Sequence, residues 1–416
     1  MNIELQINNS VRSEARFVSW APSPCRLRVT NPSGTVLPIV SVKITGVPTA
    51  GGGAVMFRKN TTGAFSNSLT LSVPTNGASV PFFVVGRFGR PSTNTGDVRI
   101  EARTSLLRFP HRLPTKLVGS VPVMVRVRKN ANTLTAGERD RFVAAFAQLN
   151  NQGAGRFQDF RDMHTNLSSP QAHGAPGFLP WHRAYILDLE RELQAIDPTV
   201  ALPYWRFDQA APNIFVLDFL GVSNALGTVQ FSSTNPLQFW KTDGVQGITR
   251  RPFFPTNTAP SGLRSEAQTL ALGTLYSAFR NMEGNPHGSA HTSFGGSISS
   301  IPTAAKDPLF FLLHCNVDRL WAKWQRLNGR FDPALAASYD SNPGNPIGHN
   351  LPDTMWPWNG ITTPPRPPTA PGGALAKSPC VNAPGPQPQI QSSLDYQGSI
   401  NALSREGFDY DDVPFA

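Results

Sequence analysis

The chain has 416 residues, 39% of them hydrophobic, with 39 prolines, 35 glycines and a formal charge of +10. That length exceeds one ordinary core and points to two domains with covering segments; the scattered arginines form no basic run, which argues against a nucleic-acid binder and for a basic surface suited to anionic substrates. No stretch reaches the ~18 apolar residues of a membrane span, MNIELQINNS lacks the basic and apolar regions of a secretory signal, and the three dispersed cysteines, Cys25, Cys315 and Cys380, make no disulfide framework, so a cytoplasmic protein is expected.

Residues 1–130 read as β structure. RLRVTN (26–31), PIVSVKITG (38–46), AVMFRKN (54–60), SLTLSV (68–73), VPFFVVGRF (80–88), DVRIEAR (97–103) and SVPVMVRVRK (120–129) are short apolar or alternating runs. Turn-forming PSG, PTAGGG, PTNGAS and PSTNTGD separate them. The spacing predicts an antiparallel sandwich of immunoglobulin-like architecture. It carries no cluster of chemically apt residues, and packing, oligomerisation or covering is its expected role.

At residue 133 the pattern turns helical. Thr135 followed three residues later by Glu138 is a capping box ahead of the amphipathic RDRFVAAFAQL. A mainly helical domain is expected over 131–330. From 331 to 416 the helical pattern fades into the proline-rich PPRPPTAPGG and APGPQPQ, closing on REGFDYDDVPFA, whose acidic and aromatic residues should dock onto the body. This segment is a candidate lid.

Three of the eight histidines, His164, His173 and His182, stand nine residues apart in HTNLSSPQAHGAPGFLPWH. Nine matches neither a helical nor a strand period. RFQDFRDMH reads as the end of one helix, and PWHRAYILDLERELQAI as the start of another, with His182 in its first turn. The interval is therefore the chain length needed to leave one helix, cross a loop and enter the next. Three imidazoles can then converge on one point. The alternative is three separate histidines, each satisfied locally.

A second set follows. NMEGNPHGSAH puts His287 and His291 four residues apart, on one face of a helix. In KDPLFFLLHCNVDRLWAKWQ, Asp307-Pro308 starts a helix whose stripe of Leu309, Leu312, Leu313, Leu320 and Trp324 includes His314. A lone buried histidine is ordinarily a hydrogen-bonded core residue. Two sets of three, each involving a helix, instead suggest two metal ions with open positions. All-imidazole ligation without bridging carboxylates disfavours dinuclear hydrolases and suits copper; a zinc hydrolase remains the rival on these residues. His111 and His349 match neither set and read as ordinary loop histidines.

FLPWHRAYILDLE, ALPYWRFD (201–208), HGSAH and DPLFFLLHCNVDRLW, with the order of the six histidines, resemble the tyrosinases and catechol oxidases and the related hemocyanins, dinuclear type-3 copper proteins. The resemblance covers about 130–330, with echoes in MWPWNG and GFDYDDVPF. It implies an α+β multidomain chain: the N-terminal sandwich, a four-helix-bundle dicopper domain, and the irregular C-terminal segment. By it, His164, His173 and His182 hold one copper ion, and His287, His291 and His314 the other. Dioxygen, bound side-on as peroxide, oxidises o-diphenols or o-aminophenols to o-quinones, with hydroxylation of a monophenol as an optional earlier step. The implied partners are dioxygen and a small phenol, with no nucleic acid and no membrane, and an oligomer is left open. A hemocyanin-like oxygen binder with a blocked site is the alternative.

The resemblance also implies that Phe310 braces the copper-bound rings, and that Arg183 and Asp318 pair to orient the helices. Glu283 takes the place of a glutamate that holds a water to deprotonate a monophenol. Gly288 stands where hydroxylating members often have Asn, which weakens the expectation of monophenol activity. Leu313 replaces a histidine next to His314. Gln171, two residues before His173, is not the cysteine that forms a thioether to that histidine in many eukaryotic members.

Overall fold

The structure, a computed structural model, describes residues 1–31, 38–104, 107–108, 111–112 and 115–416. The turn expected at PSG (32–34) lies outside them. The Cα trace divides into two units: residues 1–127 with 379–381 and 407–415, and residues 128–378 with 382–406 and 416.

Alternation of apolar and polar side chains builds the first unit into sheet. Strands β1 (Ile3–Ile7), β2 (Phe17–Val18), β3 (Ser23–Val29), β4 (Ile39–Pro48), β5 (Val55–Arg58), β6 (Ser68–Pro74), β7 (Val80–Gly86), β8 (Val98–Thr104), β9 (Leu107–Arg108), β10 (His111–Arg112) and β11 (Lys116–Val125) follow in chain order. One sheet runs β1-β3-β7-β5 and another β2-β11-β8-β4-β6, with every pairing antiparallel except β2 against β11. In β4 the even residues Val40, Val42 and Ile44 are buried while Ile39, Ser41 and Lys43 are exposed, so one face of the pleat supplies core. Such residues from both sheets, among them Leu27, Phe57, Val73, Phe82 and Ile100, form a single apolar cluster.

Two expectations change here. IELQI, left out of the predicted strands, is β1, paired with β3 from Ile3↔Val29 to Ile7↔Cys25. His111 is in a short strand, opposite Arg108, and not in a loop. The tail's contribution is local and polar: the Trp20 indole N–H donates to the Tyr410 carbonyl at 2.8 Å, and the Ala21 N–H donates to Asp409 at 3.1 Å.

The second unit is helical, with α1 (Ala136–Asn150), α2 (Phe157–Met163), α3 (Ser169–Ala172), α4 (Phe178–Ile196), α5 (Glu266–Leu270), α6 (Tyr276–Phe279), α7 (Ser289–Thr292), α8 (Ile301–Ala304) and α9 (Leu309–Asn328). The capping box that opens α1 is formed by Thr135 and Glu138. At the start of α9, Asp307 accepts the Leu309 N–H at 2.9 Å and is itself held by both ends of the Arg250 guanidinium at 2.6 and 2.8 Å. α9 is more than an amphipathic stripe: every residue from Leu309 to Ala322 is buried, so it runs through the interior. Its buried charged residues, Asp318 and Arg319, are consequently paired. Arg183 of α4 donates to Asp318 of α9 at 2.5 Å, Arg128 donates to the other Asp318 oxygen at 3.1 Å, and Arg128 also meets Glu190 at 2.7 Å. No helix among the described residues is long and apolar enough to cross a membrane.

Candidate metal centre

Four segments deliver the six histidines. α2 ends at Met163, and His164 follows as its C-cap. α3 ends at Ala172, and His173 follows in extended backbone. His182 lies one full turn into α4, because that helix begins at Phe178, earlier than its Trp-led sequence pattern indicates. His287 and His291 do not share one regular helix. A widened turn over Gly284–Gly288 carries the first and the one-turn α7 carries the second, yet the four-residue spacing still brings them together. His314 projects from the buried middle of α9.

Within each set, one ligand-capable atom from every histidine lies within 4.8 Å of the others. The sets adjoin: the His182 and His314 rings stack with centroids 4.1 Å apart. Backbone carbonyls fix the ring orientations. Nδ1 of His164 faces the Ile301 carbonyl at 3.0 Å, that of His182 the Phe178 carbonyl at 2.9 Å, that of His287 the Glu283 carbonyl at 2.8 Å, and that of His291 the Ile298 carbonyl at 2.7 Å. A carbonyl only accepts, so each of these Nδ1 atoms carries the proton and each Nε2 presents a lone pair. The Nε2 atoms of His164, His182 and His287 are buried without any protein partner. His291 and His314 bring their Nε2 atoms to 3.2 Å of one another, and His314 Nδ1 is buried without a protein partner.

Burial keeps all six rings neutral at ordinary pH, since an imidazolium loses its hydration there. The pKa falls to about 3 for His164, about 2 for His173 and about 4 for His291, and well below the usual range for His182, His287 and His314. Desolvation is the first cause in each case, with neighbouring imidazoles adding to it for five of the six. Neutral imidazoles with inward lone pairs are the donor set that copper takes. The residues fit two such ions, and neither group of three includes a carboxylate.

Phe310 lies against rings of both sets, with centroids 4.2 Å from His314 and 4.7 Å from His164. A cavity of about 540 Å³ opens over the histidines, lined by His164, His173, His287, His291 and by Arg280, Glu283, Gly288 and Ile301 among others. Its lining falls between residues 164 and 304 and includes the exposed Asn281, Gly284, Thr292 and Ser300, so it reaches solvent. Glu283 accepts the Gly174 N–H at 2.7 Å through one oxygen, and burial raises its pKa. A side chain at Gly288 would start 3.3 Å from the Glu283 carbonyl.

One site-related residue escapes sequence reasoning. His349 is not an ordinary loop histidine: it is fully buried and both ring nitrogens are engaged. Its partners are backbone groups more than 170 residues away, and no spacing pattern reports them.

The family model for the common central domain of tyrosinase matches residues 154–327. The tyrosinase of Streptomyces glaucescens is 34% identical over 265 residues, covering 56% of this chain and 92% of that one. Grixazone synthase of Streptomyces griseus is 33% identical over 267 residues, covering 49% of this chain and 85% of that one. Deoxygenated hemocyanin from Rapana thomasiana superimposes with a TM-score of 0.48 at 22% identity, over 69% of this chain and 70% of that one.

Proposed function

Because the chain belongs to the tyrosinase family and is a tyrosinase-type polyphenol oxidase, we propose that it uses dioxygen to oxidise o-diphenols and o-aminophenols to their quinone products. One observation carries this: two adjoining triads of neutral histidines, four of them oriented by backbone carbonyls that leave Nε2 turned inward. His164, His173 and His182 would hold one copper, and His287, His291 and His314 the other. When bound, the pair supplies dioxygen binding and two-electron redox chemistry. The chain supplies the rest.

Phe310, wedged against His164 and His314, limits how far those rings can tilt. Arg183 and Asp318 tie α4 to α9, so the helices carrying His182 and His314 move as one body. We read α1, α2, α4 and α9 as a four-helix bundle around the metals, and the two N-terminal sheets as an immunoglobulin-like sandwich with a packing role. Glu283 has one oxygen occupied by Gly174, which leaves the other for a phenol proton at the cavity wall. Gly288 offers nothing to orient a water beside it, so monophenol hydroxylation is the weaker activity.

The hemocyanin alternative requires a blocked site, and a solvent-reaching cavity over the histidines speaks against it. The test is copper-loaded protein given catechol, a monophenol and an o-aminophenol side by side. Turnover of catechol and the o-aminophenol well above the monophenol is expected. A stable oxygenated form that never consumes catechol would make the protein a carrier, and two zinc ions with no copper would remove the redox reading altogether.

A further inference from the structure

The segment from Pro170 to Gly177 carries His173 between two ordered ends, and the C-terminal residues grip both ends. His349 Nδ1 accepts the Gly177 N–H at 2.9 Å, and His349 Nε2 meets the Pro170 carbonyl at 2.8 Å. An amide N–H only donates and a carbonyl only accepts, so this ring is neutral with its proton on Nε2. The backbone of His349 is itself fixed, its N–H donating to Asp353 at 3.1 Å and its carbonyl accepting from the Tyr339 hydroxyl at 2.8 Å. The fit is tight, because a Cβ on Gly177 would lie 2.6 Å from His349 Nδ1.

His173 lacks the carbonyl contact on Nδ1 that orients four of the other histidines. Those four have Nδ1 held by a carbonyl at 2.7–3.0 Å, and His314, fully buried in α9, packs against the His182 and Phe310 rings with centroids 4.1 and 4.2 Å away. His173 Nδ1 meets only the Ser169 hydroxyl, at 3.4 Å, near the limit of a hydrogen bond, and the residue is half-buried. Where its ring points therefore depends on the path of its backbone. That path is set by whatever holds Pro170 and Gly177.

We propose that His349 is a positioning residue for the first metal site: by bridging Pro170 and Gly177 it holds His173 toward His164 and His182. The proposal rests on the reading of that triad as a copper site. It gives residues around 349 the work of a brace on the ligand loop, in place of the lid expected from composition. It also explains a buried polar ring that takes no part in the chemistry.

The full-length protein tests this in two states. Without metal, His349→Ala should speed hydrogen exchange of the Gly177 amide by on the order of tenfold, leaving amides in the middle of α9 unchanged. Loaded with copper alone, the variant should release one of its two ions to a chelator on the order of 10–100-fold faster than the wild type does. His349→Asn, whose side-chain oxygen can still accept from Gly177, should recover most of the amide protection and part of the copper retention. If His349→Ala does not fold, Gly177→Ala serves instead, since its methyl displaces the ring without removing it, and the same selective copper loss is expected. Unchanged exchange at Gly177, or equal acceleration of both copper releases, overturns the proposal. A wild type that binds no copper overturns the metal reading instead, while the exchange result still reports on the brace.

Discussion

His182 and His314 stack face to face, their ring centroids 4.1 Å apart and their planes within 9°. Each belongs to a different triad, and each sits on a long buried helix, α4 and α9. The two candidate ions therefore share a wall of aromatic nitrogen heterocycle instead of a bridging carboxylate. Geometry that separates the helices would damage both sites at once. The Arg183–Asp318 contact, from the residue after His182 to one turn beyond His314, is placed to prevent that separation.

His314→Ala removes one ligand and the stacking partner of another. The expected outcome is a fall from two bound coppers per chain to one, with catechol oxidation reduced to the level of the metal-free protein. Metal analysis by mass spectrometry and a catechol assay on the same sample check this. Two coppers and appreciable turnover in the variant would sink the assignment of His314.

The wall residues should sort substrates without changing metal content. Glu283→Gln keeps the shape, and its carbonyl oxygen can still accept from Gly174, but the proton acceptor is lost. Monophenol turnover should fall by about 10²-fold or more, while catechol, which gives up its protons more readily, changes far less. Gly288→Asn should move the ratio the other way, raising monophenol against diphenol turnover, with slight adjustment where its Cβ meets the Glu283 carbonyl at 3.3 Å. Parallel kcat and KM measurements on the two substrates decide it; equal effects on both would mean that neither residue discriminates.

How much of this was readable in the residues depends on how local each signal is. Asp307-Pro308 and the apolar run after it announce α9 and place His314 inward, because a cap and a periodicity act within a few residues. The nine-residue intervals yield a loop between helices for the same reason. His287 and His291 were expected on one helix and instead bridge a widened turn and α7, since GNP disfavours a regular helix while a spacing of four tolerates the change. His349 was read as an ordinary loop histidine, because a histidine bonded to distant backbone leaves no mark in sequence spacing. β1 was missed because so short a run, five alternating residues at the chain's start, becomes a strand only through pairing with β3.

Asp318 holds two buried guanidinium groups, Arg183 at 2.5 Å and Arg128 at 3.1 Å. Removing its charge takes an ion pair from both in a dry interior, while Arg128 keeps Glu190 at 2.7 Å. Asp318→Asn should therefore destabilise the metal-free protein by on the order of 3–5 kcal/mol. Urea unfolding followed by far-ultraviolet circular dichroism would show a lower midpoint with an unchanged slope. A loss below about 1 kcal/mol, the range of solvent-exposed pairs, would mean that water reaches the cluster.

Asp188 gives a pH dependence away from the metal centre. It is buried in α4 and accepts two hydrogen bonds, from the Trp358 indole at 2.9 Å and the Ala376 N–H at 2.8 Å. Burial nevertheless dominates and raises its pKa from 3.8 to about 6. The sign follows from proton binding. Below pH 3.8 the folded and unfolded states both hold the proton; between pH 3.8 and about 6 only the folded state holds it, so stability falls as pH rises; above about 6 neither does and the penalty is constant. Asp188→Asn removes this dependence, but its single oxygen serves only one of the two donors, which costs about 1–3 kcal/mol at every pH. The variant should thus be less stable than the wild type near pH 4, and the gap should narrow as pH rises to about 6 and then stay level. Thermal unfolding of both metal-free proteins across that interval measures the difference directly, with other titrating groups cancelling between them. A gap that widens with pH would mean that Asp188 is held ionised by its two donors, and that hydrogen bonding outweighs burial at this position.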